Sequence, residues 1–219
     1  MKKYTTVLFD LDGTLTDPGD GIVNSVAYAL KKYGIEVEDR KSLYKFIGPP
    51  LIVSFSTYYG FSEEKSREAI AYYREYYQAK GINECKLFDG IKELLIDLKN
   101  AGYEIALATS KPEIFAHRVL ENYGVDSYFD FIGGATMDET TRYTKEHVIE
   151  YVLANVKEND RKKILMIGDR HFDINGAKEY NLDSMGVTFG YGTYEELKEA
   201  GANYIVNSPK EIEKMLINY

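Results

Sequence analysis

A short apolar strand that ends in two acidic residues constrains this chain more than any other stretch. Val7, Leu8 and Phe9 form an unbroken apolar run, which is typical of a strand buried on both faces of a sheet. Asp10 and Asp12 follow almost at once, and carboxylates cannot extend a buried core without partners. We therefore expect them to lie where the strand leaves its sheet, close enough to share a cation. A plain acidic turn is the alternative, and the later stretches decide between the two.

The sequence pattern changes after this first strand. From about residue 18 to about residue 80, apolar residues and tyrosines recur at helical spacing, with no convincing strand. Ser62 and the two glutamates after it have the composition of a helix N-cap and first turn. Beyond residue 84, strand and helix patterns alternate, with a capping-box pattern at Thr193-x-x-Glu196. The predicted strands of this second part cover residues 103–108, 129–132, 163–167, 184–187 and 204–206.

Turn residues predict where several helices begin and end. A short helix is expected over residues 40–47, because Gly48-Pro49-Pro50 cannot continue it. Residues 51–59 resume a helical pattern. Asp89 is the expected N-cap of a helix that ends at Gly102.

The alternation of strands and helices predicts an α/β fold. Such alternation is typical of a parallel sheet with right-handed crossovers. The helical segment interrupts this order directly after the first strand. We therefore predict a Rossmann-like parallel-sheet core of residues 1–17 and 84–219, with a small helical cap domain of residues 18–83 inserted into it.

Composition narrows the classes of partner. The chain has 219 residues and a net charge of −8, which disfavours broad electrostatic capture of nucleic acid or of an anionic membrane surface. No apolar run approaches the roughly 20 residues of a membrane-spanning helix, and the amino terminus lacks the apolar region of a signal peptide. Cys85 is the only cysteine, so an intrachain disulfide is excluded and a reducing cytoplasm is expected.

Polar residues of matching chemistry stand at four predicted strand ends. In a parallel α/β sheet, ligands bind beyond the carboxyl ends of the strands. Two of these ends are acidic and two suit an anion, a combination that favours a divalent cation with a phosphate. Mg²⁺ takes oxygen ligands and commonly bridges a carboxylate to a substrate phosphate. In chain order, the residues are Asp10 and Asp12, then Thr109 and Ser110, then Arg142 and Lys145, and finally Asp169, Arg170 and Asp173.

These four stretches resemble the haloacid dehalogenase (HAD) superfamily of aspartate-nucleophile phosphatases. Asp10-Leu11-Asp12-Gly13-Thr14 is similar to its first motif, and Thr109 at a strand end is similar to its second. Lys145 at a helix start is similar to the third motif, and Gly168-Asp169-Arg170-His171-Phe172-Asp173 is similar to the fourth. The insertion between the first two motifs matches the subclass that carries a helical cap.

Shorter stretches narrow the resemblance to the phosphoglycolate phosphatase-like branch. They are the residues after the first motif, Ile47-Gly48-Pro49-Pro50-Leu51 and Thr141-Arg142-x-x-Lys145. That branch also includes proteins described as nucleotidases or tyrosine phosphatases. Dehalogenases of the superfamily lack the second aspartate, so Asp12 indicates phosphoryl transfer. Similar phosphomutases carry a histidine soon after the first motif. Residues 16–34 contain none, which favours transfer to water.

The resemblance implies a Mg²⁺-dependent phosphatase that hydrolyses small phosphate monoesters through an aspartyl-phosphate. Asp10 would be the nucleophile, and Asp12 would protonate the leaving alcohol and then deprotonate the hydrolytic water. Asp10, Asp169 and the backbone carbonyl of Asp12 would hold Mg²⁺. Asp173 would bind the metal directly or orient a ligand through water.

Three further positions would bind the phosphoryl oxygens by the same resemblance. They are Thr109, the backbone N–H of Ser110, and the Lys145 ammonium, which would offset the charge on these oxygens. The alternative is that Lys145 is an exposed helix lysine and that Lys111, two residues beyond Thr109, supplies the same charge.

Contacts to the rest of the substrate are less determined. Arg142 either reaches the substrate or pairs with Asp138 or Glu139. In the predicted cap, Lys45 and the Gly48-Pro49-Pro50 turn are candidates to face the active site. The cap itself is either a lid that excludes water and contacts the leaving group or a decoration that adds stability.

Several functions remain open at this stage. Within the superfamily, a 5′-nucleotidase or a phosphotyrosine-type phosphatase is the main alternative to a phosphoglycolate phosphatase-like activity. Outside it, the alternatives are a phosphorylatable signalling module and a non-catalytic binding protein. The expected partner is a small phosphorylated metabolite, with no nucleic acid and no membrane, and the protein is expected to be a monomer or a homodimer.

Overall fold

The chain forms two compact units in a computed structural model, which describes residues 3–138 and 140–217. One unit comprises Met1–Thr16 and Leu87–Tyr219, and the other is Asp17–Lys86. Two short strands, β2 (Thr16–Asp17) and β3 (Lys86–Leu87), pair where the chain passes from one unit to the other. The role of the inserted segment as a cap stays a prediction.

A parallel six-stranded sheet forms the centre of the larger unit, which confirms the predicted α/β fold. Its strands are β1 (Thr6–Phe9), β4 (Glu104–Pro112), β5 (Phe131–Ala135), β6 (Ile164–Gly168), β7 (Asp183–Val187) and β8 (Tyr204–Val206). Their order is β5-β4-β1-β6-β7-β8. In this register Val7 of β1 lies between Ile105 on one side and Leu165 on the other.

Helices cover the sheet and make up most of the smaller unit. The larger unit contains α4 (Ile91–Asn100), α5 (Glu113–Tyr123), α6 (Lys145–Leu153), α7 (His171–Glu179), α8 (Tyr194–Ala200) and α9 (Pro209–Ile217). The smaller unit contains α1 (Gly19–Lys31), α2 (Leu51–Tyr59) and α3 (Glu63–Ala79). Within the described ranges, no helix combines the length and the apolar character needed to cross a bilayer.

The hydrophobic core of the larger unit explains why the start of α6 lies close to the sheet. Leu8 in β1 and Met166 in β6 are fully buried against Val148 and Val152 of α6. Burial of such side chains contributes about 1.5–3 kcal/mol each, relative to leaving them in water. This packing holds α6 against the central strands and so holds its first residue, Lys145, near their carboxyl ends.

Two boundaries differ from the sequence-based expectation, and one short helix follows it. The strand expected to end at residue 108 continues to Pro112, with a register shift against β5 beyond Thr109. The helix expected from Asp89 begins at Ile91, because Gly90 takes a left-handed conformation (φ 85°) at the N-cap. Residues Arg40–Phe46 form a 3₁₀ helix that ends before Gly48-Pro49-Pro50.

Helix caps follow the sequence more closely. The Ser62 side chain accepts a hydrogen bond from the Lys65 backbone N–H, which confirms it as the N-cap of α3. Thr193 caps α8 in the same way by accepting from the Glu196 N–H. The Glu196 side chain does not complete the expected capping box with Thr193 among the described contacts and bonds the start of α7 instead.

Candidate active site

The central position of β1 brings the predicted site residues to one edge of the sheet. β4 and β5 lie on one side of β1, and β6, β7 and β8 lie on the other. The crossovers therefore change direction around β1, and ligands bind at such a switch point beyond the carboxyl ends of the strands. Asp10 and Asp12 follow β1, Thr109 lies in β4, and Asp169 follows β6.

Three buried carboxylates meet at this edge. Asp10, Asp169 and Asp173 each offer one oxygen, and these oxygens all lie within 4.8 Å of one another. Asp173 reaches the cluster from the first turn of α7 because Gly168 has no side chain. A Cβ at Gly168 would overlap the Asp173 carboxyl group. The ends of β1 and β6 and the first turn of α7 therefore bring the three aspartates together.

Burial and mutual repulsion make this cluster electrostatically costly. Burial is the largest cause that raises the pKa of Asp169 well above its ordinary value, and the charges of Asp173 and Asp10 add to it. Burial also raises the pKa of Asp173 to about 6, although the Lys145 ammonium opposes that shift. A bound cation would relieve this repulsion.

Lys145 links two of the three carboxylates. Its Nζ lies 2.8 Å from Asp10 Oδ1 and 2.8 Å from Asp173 Oδ1, and it donates a 3.0 Å hydrogen bond to the Ala108 carbonyl. Burial by itself lowers the pKa of Lys145, but the two carboxylates outweigh burial and raise it. The side chain therefore carries its positive charge beside the Asp10 carboxylate, and its role in binding phosphate stays a prediction.

Asp12 lies apart from the three carboxylates and has its own partner. Its Oδ2 lies 2.5 Å from Lys111 Nζ, and both side chains are buried. Burial raises the pKa of Asp12, and the Lys111 charge opposes that shift. Within residues 3–138 and 140–217, Asp12 Oδ1 has no hydrogen-bond partner. The expected metal contact through its backbone carbonyl stays a prediction.

The charges of the site leave room for a divalent cation. Four buried carboxylates face two buried lysine ammoniums, so the fully ionised set has a net charge of −4 + 2 = −2. The Oδ1 atom of Asp169 is buried and has no hydrogen-bond partner in the described part of the chain. Carboxylate oxygens are the ligands that Mg²⁺ prefers. The residues therefore fit this ion in both charge and chemistry.

Thr109 and Ser110 lie at the same edge through β4. Thr109 is buried, and its Oγ1 accepts a 3.2 Å hydrogen bond from the Lys111 backbone N–H. Ser110 is half-buried. Their role in binding phosphoryl oxygens stays a prediction. Sequence reasoning did not find the contact of Lys111 with Asp12. The only signal for it in the sequence is that Lys111 lies close to Thr109.

Arg142 occupies a different environment from the four aspartates. Its Nη2 lies 2.9 Å from Glu113 Oε2, its Nε donates to the Gly134 carbonyl at 2.6 Å, and its guanidinium lies 3.7 Å from the Tyr151 ring centroid. These contacts tie the end of β5 to the start of α5. Asp138 accepts from Thr136 and Thr140, and Glu139 lies outside the described residues. A contact of Arg142 with substrate stays a prediction.

Lys45 belongs to the smaller unit and stands beside two aromatic rings. Its Nζ lies 4.4 Å from the ring centroid of Tyr58 and 5.8 Å from that of Tyr59. Cation–π contacts of this kind contribute about 0.5–1 kcal/mol at exposed sites. Lys45 is exposed, and its expected contact with substrate stays a prediction.

Comparison with known proteins agrees with the family resemblance. A family model described as haloacid dehalogenase-like hydrolase matches residues 7–187. The crystal structure of a predicted phosphatase from Clostridium acetobutylicum is similar, with a TM-score of 0.93, 51% identity and 99% coverage of both chains.

Two curated relatives span most of the chain. A 5′-nucleotidase of Pseudomonas aeruginosa is 42% identical over 196 residues, which cover 90% of this chain and 88% of that protein. A phosphoglycolate phosphatase of Colwellia psychrerythraea is 30% identical, covering 97% of this chain and 96% of its own. These likenesses confirm the resemblance on which the motif assignment rests.

Proposed function

This chain belongs to the haloacid dehalogenase-like hydrolase family and is a phosphoric monoester hydrolase, and we propose that it acts with Mg²⁺ on small phosphate monoesters through an aspartyl-phosphate at Asp10. One observation carries the proposal. The buried Asp10 carboxylate contacts the Lys145 ammonium and clusters with two further carboxylates, those of Asp169 and Asp173. A nucleophile, a fixed positive charge and a cation-binding set thus meet at one strand end.

The metal would be held by Asp10, Asp169 and Asp173, with the backbone carbonyl of Asp12 as a further ligand. When bound, Mg²⁺ supplies positive charge that offsets the phosphoryl oxygens. The side chains of Lys145 and Thr109 and the backbone N–H of Ser110 would hold the same oxygens from the protein side. In phosphoryl transfer, most of the catalysis is such positioning and charge stabilisation.

Asp10 and Asp12 have different tasks in the reaction. An Asp10 oxygen forms a bond to phosphorus while the bond between phosphorus and the ester oxygen breaks, and Asp12 delivers a proton to that ester oxygen. Ionised Asp12 then takes a proton from water, whose oxygen attacks the phosphorus and frees Asp10 and inorganic phosphate. The raised pKa of Asp12 supports the first of these two tasks. Lys111 holds the Asp12 carboxylate in place for both.

The names of the two relatives indicate two classes of substrate. The 5′-nucleotidase is 42% identical and the phosphoglycolate phosphatase 30% identical, so nucleoside 5′-monophosphates are a specific second candidate beside phosphoglycolate-type esters. A phosphotyrosine-type substrate is the remaining alternative within the superfamily.

We expect phosphate release from a panel of monoesters to require Mg²⁺. The panel contains phosphoglycolate, nucleoside 5′-monophosphates, phosphotyrosine and p-nitrophenyl phosphate, each assayed by released phosphate with Mg²⁺ and with excess chelator. The expected result is turnover with Mg²⁺, near-complete loss with chelator, and recovery when Mg²⁺ is restored. Equal turnover in chelator would contradict the metal assignment. A stable phosphorylated protein without turnover would favour a signalling module.

We expect Lys45→Ala to change substrate preference more than general activity. Phosphoglycolate carries a carboxylate on its leaving group, which an ammonium attracts, whereas p-nitrophenyl phosphate carries none. The ratio of kcat/KM for phosphoglycolate over p-nitrophenyl phosphate should fall by about tenfold, the equivalent of roughly 1.4 kcal/mol. Lys41→Ala in the same 3₁₀ helix is the matched control. An unchanged ratio in Lys45→Ala places this side chain outside the substrate site.

A further inference from the structure

Backbone segments from three glycines enclose Asp169 closely. A Cβ at Gly13 would overlap Asp169 Oδ2, and Gly13 also has a left-handed φ of 86°. A Cβ at Gly190 would lie 2.6 Å from both Asp169 Cβ and Asp169 Oδ2, and one at Gly192 would overlap the Asp169 carbonyl oxygen. Real Cβ atoms do not approach so closely, so these positions bring bare backbone against the aspartate.

This enclosure treats the two carboxylate oxygens of Asp169 differently. The Tyr191 backbone N–H donates a 2.7 Å hydrogen bond to Oδ2. The other oxygen, Oδ1, is buried and has no hydrogen-bond partner within the described residues. Asp169 also contributes an oxygen to the cluster with Asp10 and Asp173. One oxygen is therefore anchored to the loop, and the orientation of the whole carboxylate follows from that anchor.

The loop is built from a segment far from the aspartate in sequence. Residues 190–192 lie between β7 and α8, whereas Asp169 directly follows β6. Gly192 lets the backbone pass close to the Asp169 carbonyl, and Gly190 lets the backbone pass close to the Asp169 carboxylate. The backbone N–H of Tyr191, which lies between these two glycines, therefore points at Asp169 Oδ2. A residue with a side chain at position 190 or 192 would require the loop to move.

We propose that the loop of residues 190–192 positions the metal site by fixing the orientation of the Asp169 carboxylate. The loop acts on the site through the Tyr191 N–H, which holds Asp169 Oδ2. This inference rests on the proposed Mg²⁺ site. Groups that orient a metal ligand typically contribute 10–100-fold in metal affinity.

The test measures Mg²⁺ binding directly, by calorimetric titration of the purified full chain without substrate. In Gly192→Ala, the new methyl group displaces the loop and the Tyr191 N–H from Oδ2. We expect the Kd for Mg²⁺ to rise by about 10–100-fold. Gly190→Ala is the second variant, which keeps the test decisive if Gly192→Ala does not fold. Circular dichroism and thermal unfolding establish that each variant is folded before titration.

Gly186→Ala is the matched control. Its Cβ would lie 2.9 Å from two methyl carbons of Leu197, so it crowds β7 and α8 without touching Asp169. We expect wild-type Mg²⁺ affinity in this variant. The inference is overturned if a folded Gly192→Ala or Gly190→Ala binds Mg²⁺ as tightly as the wild type, or if Gly186→Ala weakens binding to the same extent. Absence of Mg²⁺ binding in the wild type would instead overturn the proposed metal site.

Discussion

Asp10→Asn should lose at least about 10³-fold in phosphate release from p-nitrophenyl phosphate with Mg²⁺. The amide that replaces the carboxylate is a poor nucleophile and carries no negative charge for a cation. Lys145 keeps its contact with Asp173, so we expect the variant to fold. The measurement is initial-rate phosphate release, with thermal unfolding of the same preparation.

The matched control is the same substitution at an exposed carboxylate, Asp89→Asn. It removes one negative charge from the larger unit but none from the cluster, and it should retain wild-type turnover. If Asp10→Asn keeps full activity, the nucleophile lies elsewhere and the aspartyl-phosphate at this position is wrong. If both variants lose activity equally, the loss reflects net charge or folding and does not identify Asp10 as the nucleophile.

Asp12→Asn should separate substrates by the leaving group that they carry. An alkyl alcohol needs a proton to leave, so alkyl phosphates should lose about 10²–10⁴-fold in turnover. p-Nitrophenolate leaves without that proton, so the first step should survive with p-nitrophenyl phosphate. The second step still lacks its base and should slow. We therefore expect a burst of about one p-nitrophenol per enzyme, followed by slow turnover. Rapid-mixing absorbance measures the burst.

The Lys111 contact makes stability part of this experiment. Asp12→Asn leaves the Lys111 ammonium buried without its carboxylate, and breaking a buried pair in this way costs about 3–5 kcal/mol. Thermal unfolding should therefore show a lower midpoint, and kinetics are compared at a temperature where the variant is folded. A folded variant with no burst and equal losses on alkyl and p-nitrophenyl esters would assign Asp12 a structural role beside Lys111.

Local sequence was sufficient for much of the fold and for the identity of the central carboxylates. Val7, Leu8 and Phe9 are all fully buried, because a run of apolar residues without a polar face has no solvent-exposed side in a parallel sheet. Each of the six predicted strands is present, although several boundaries shift by a few residues. At Asp89 the cap prediction was wrong because Gly90 takes the left-handed conformation that ends the turn one residue later.

Sequence by itself determined that Asp10 and Asp169 stand at strand ends, because that depends on local periodicity and on turn residues. Only the tertiary structure decided which groups meet. Lys111 pairs with Asp12 across 99 residues, and the Tyr191 N–H reaches Asp169 across 22. Such contacts depend on the order of strands in the sheet, on the register shift in β4 and on backbone passages that glycine allows. No local pattern encodes these features, because each arises from packing between segments that are distant in the chain.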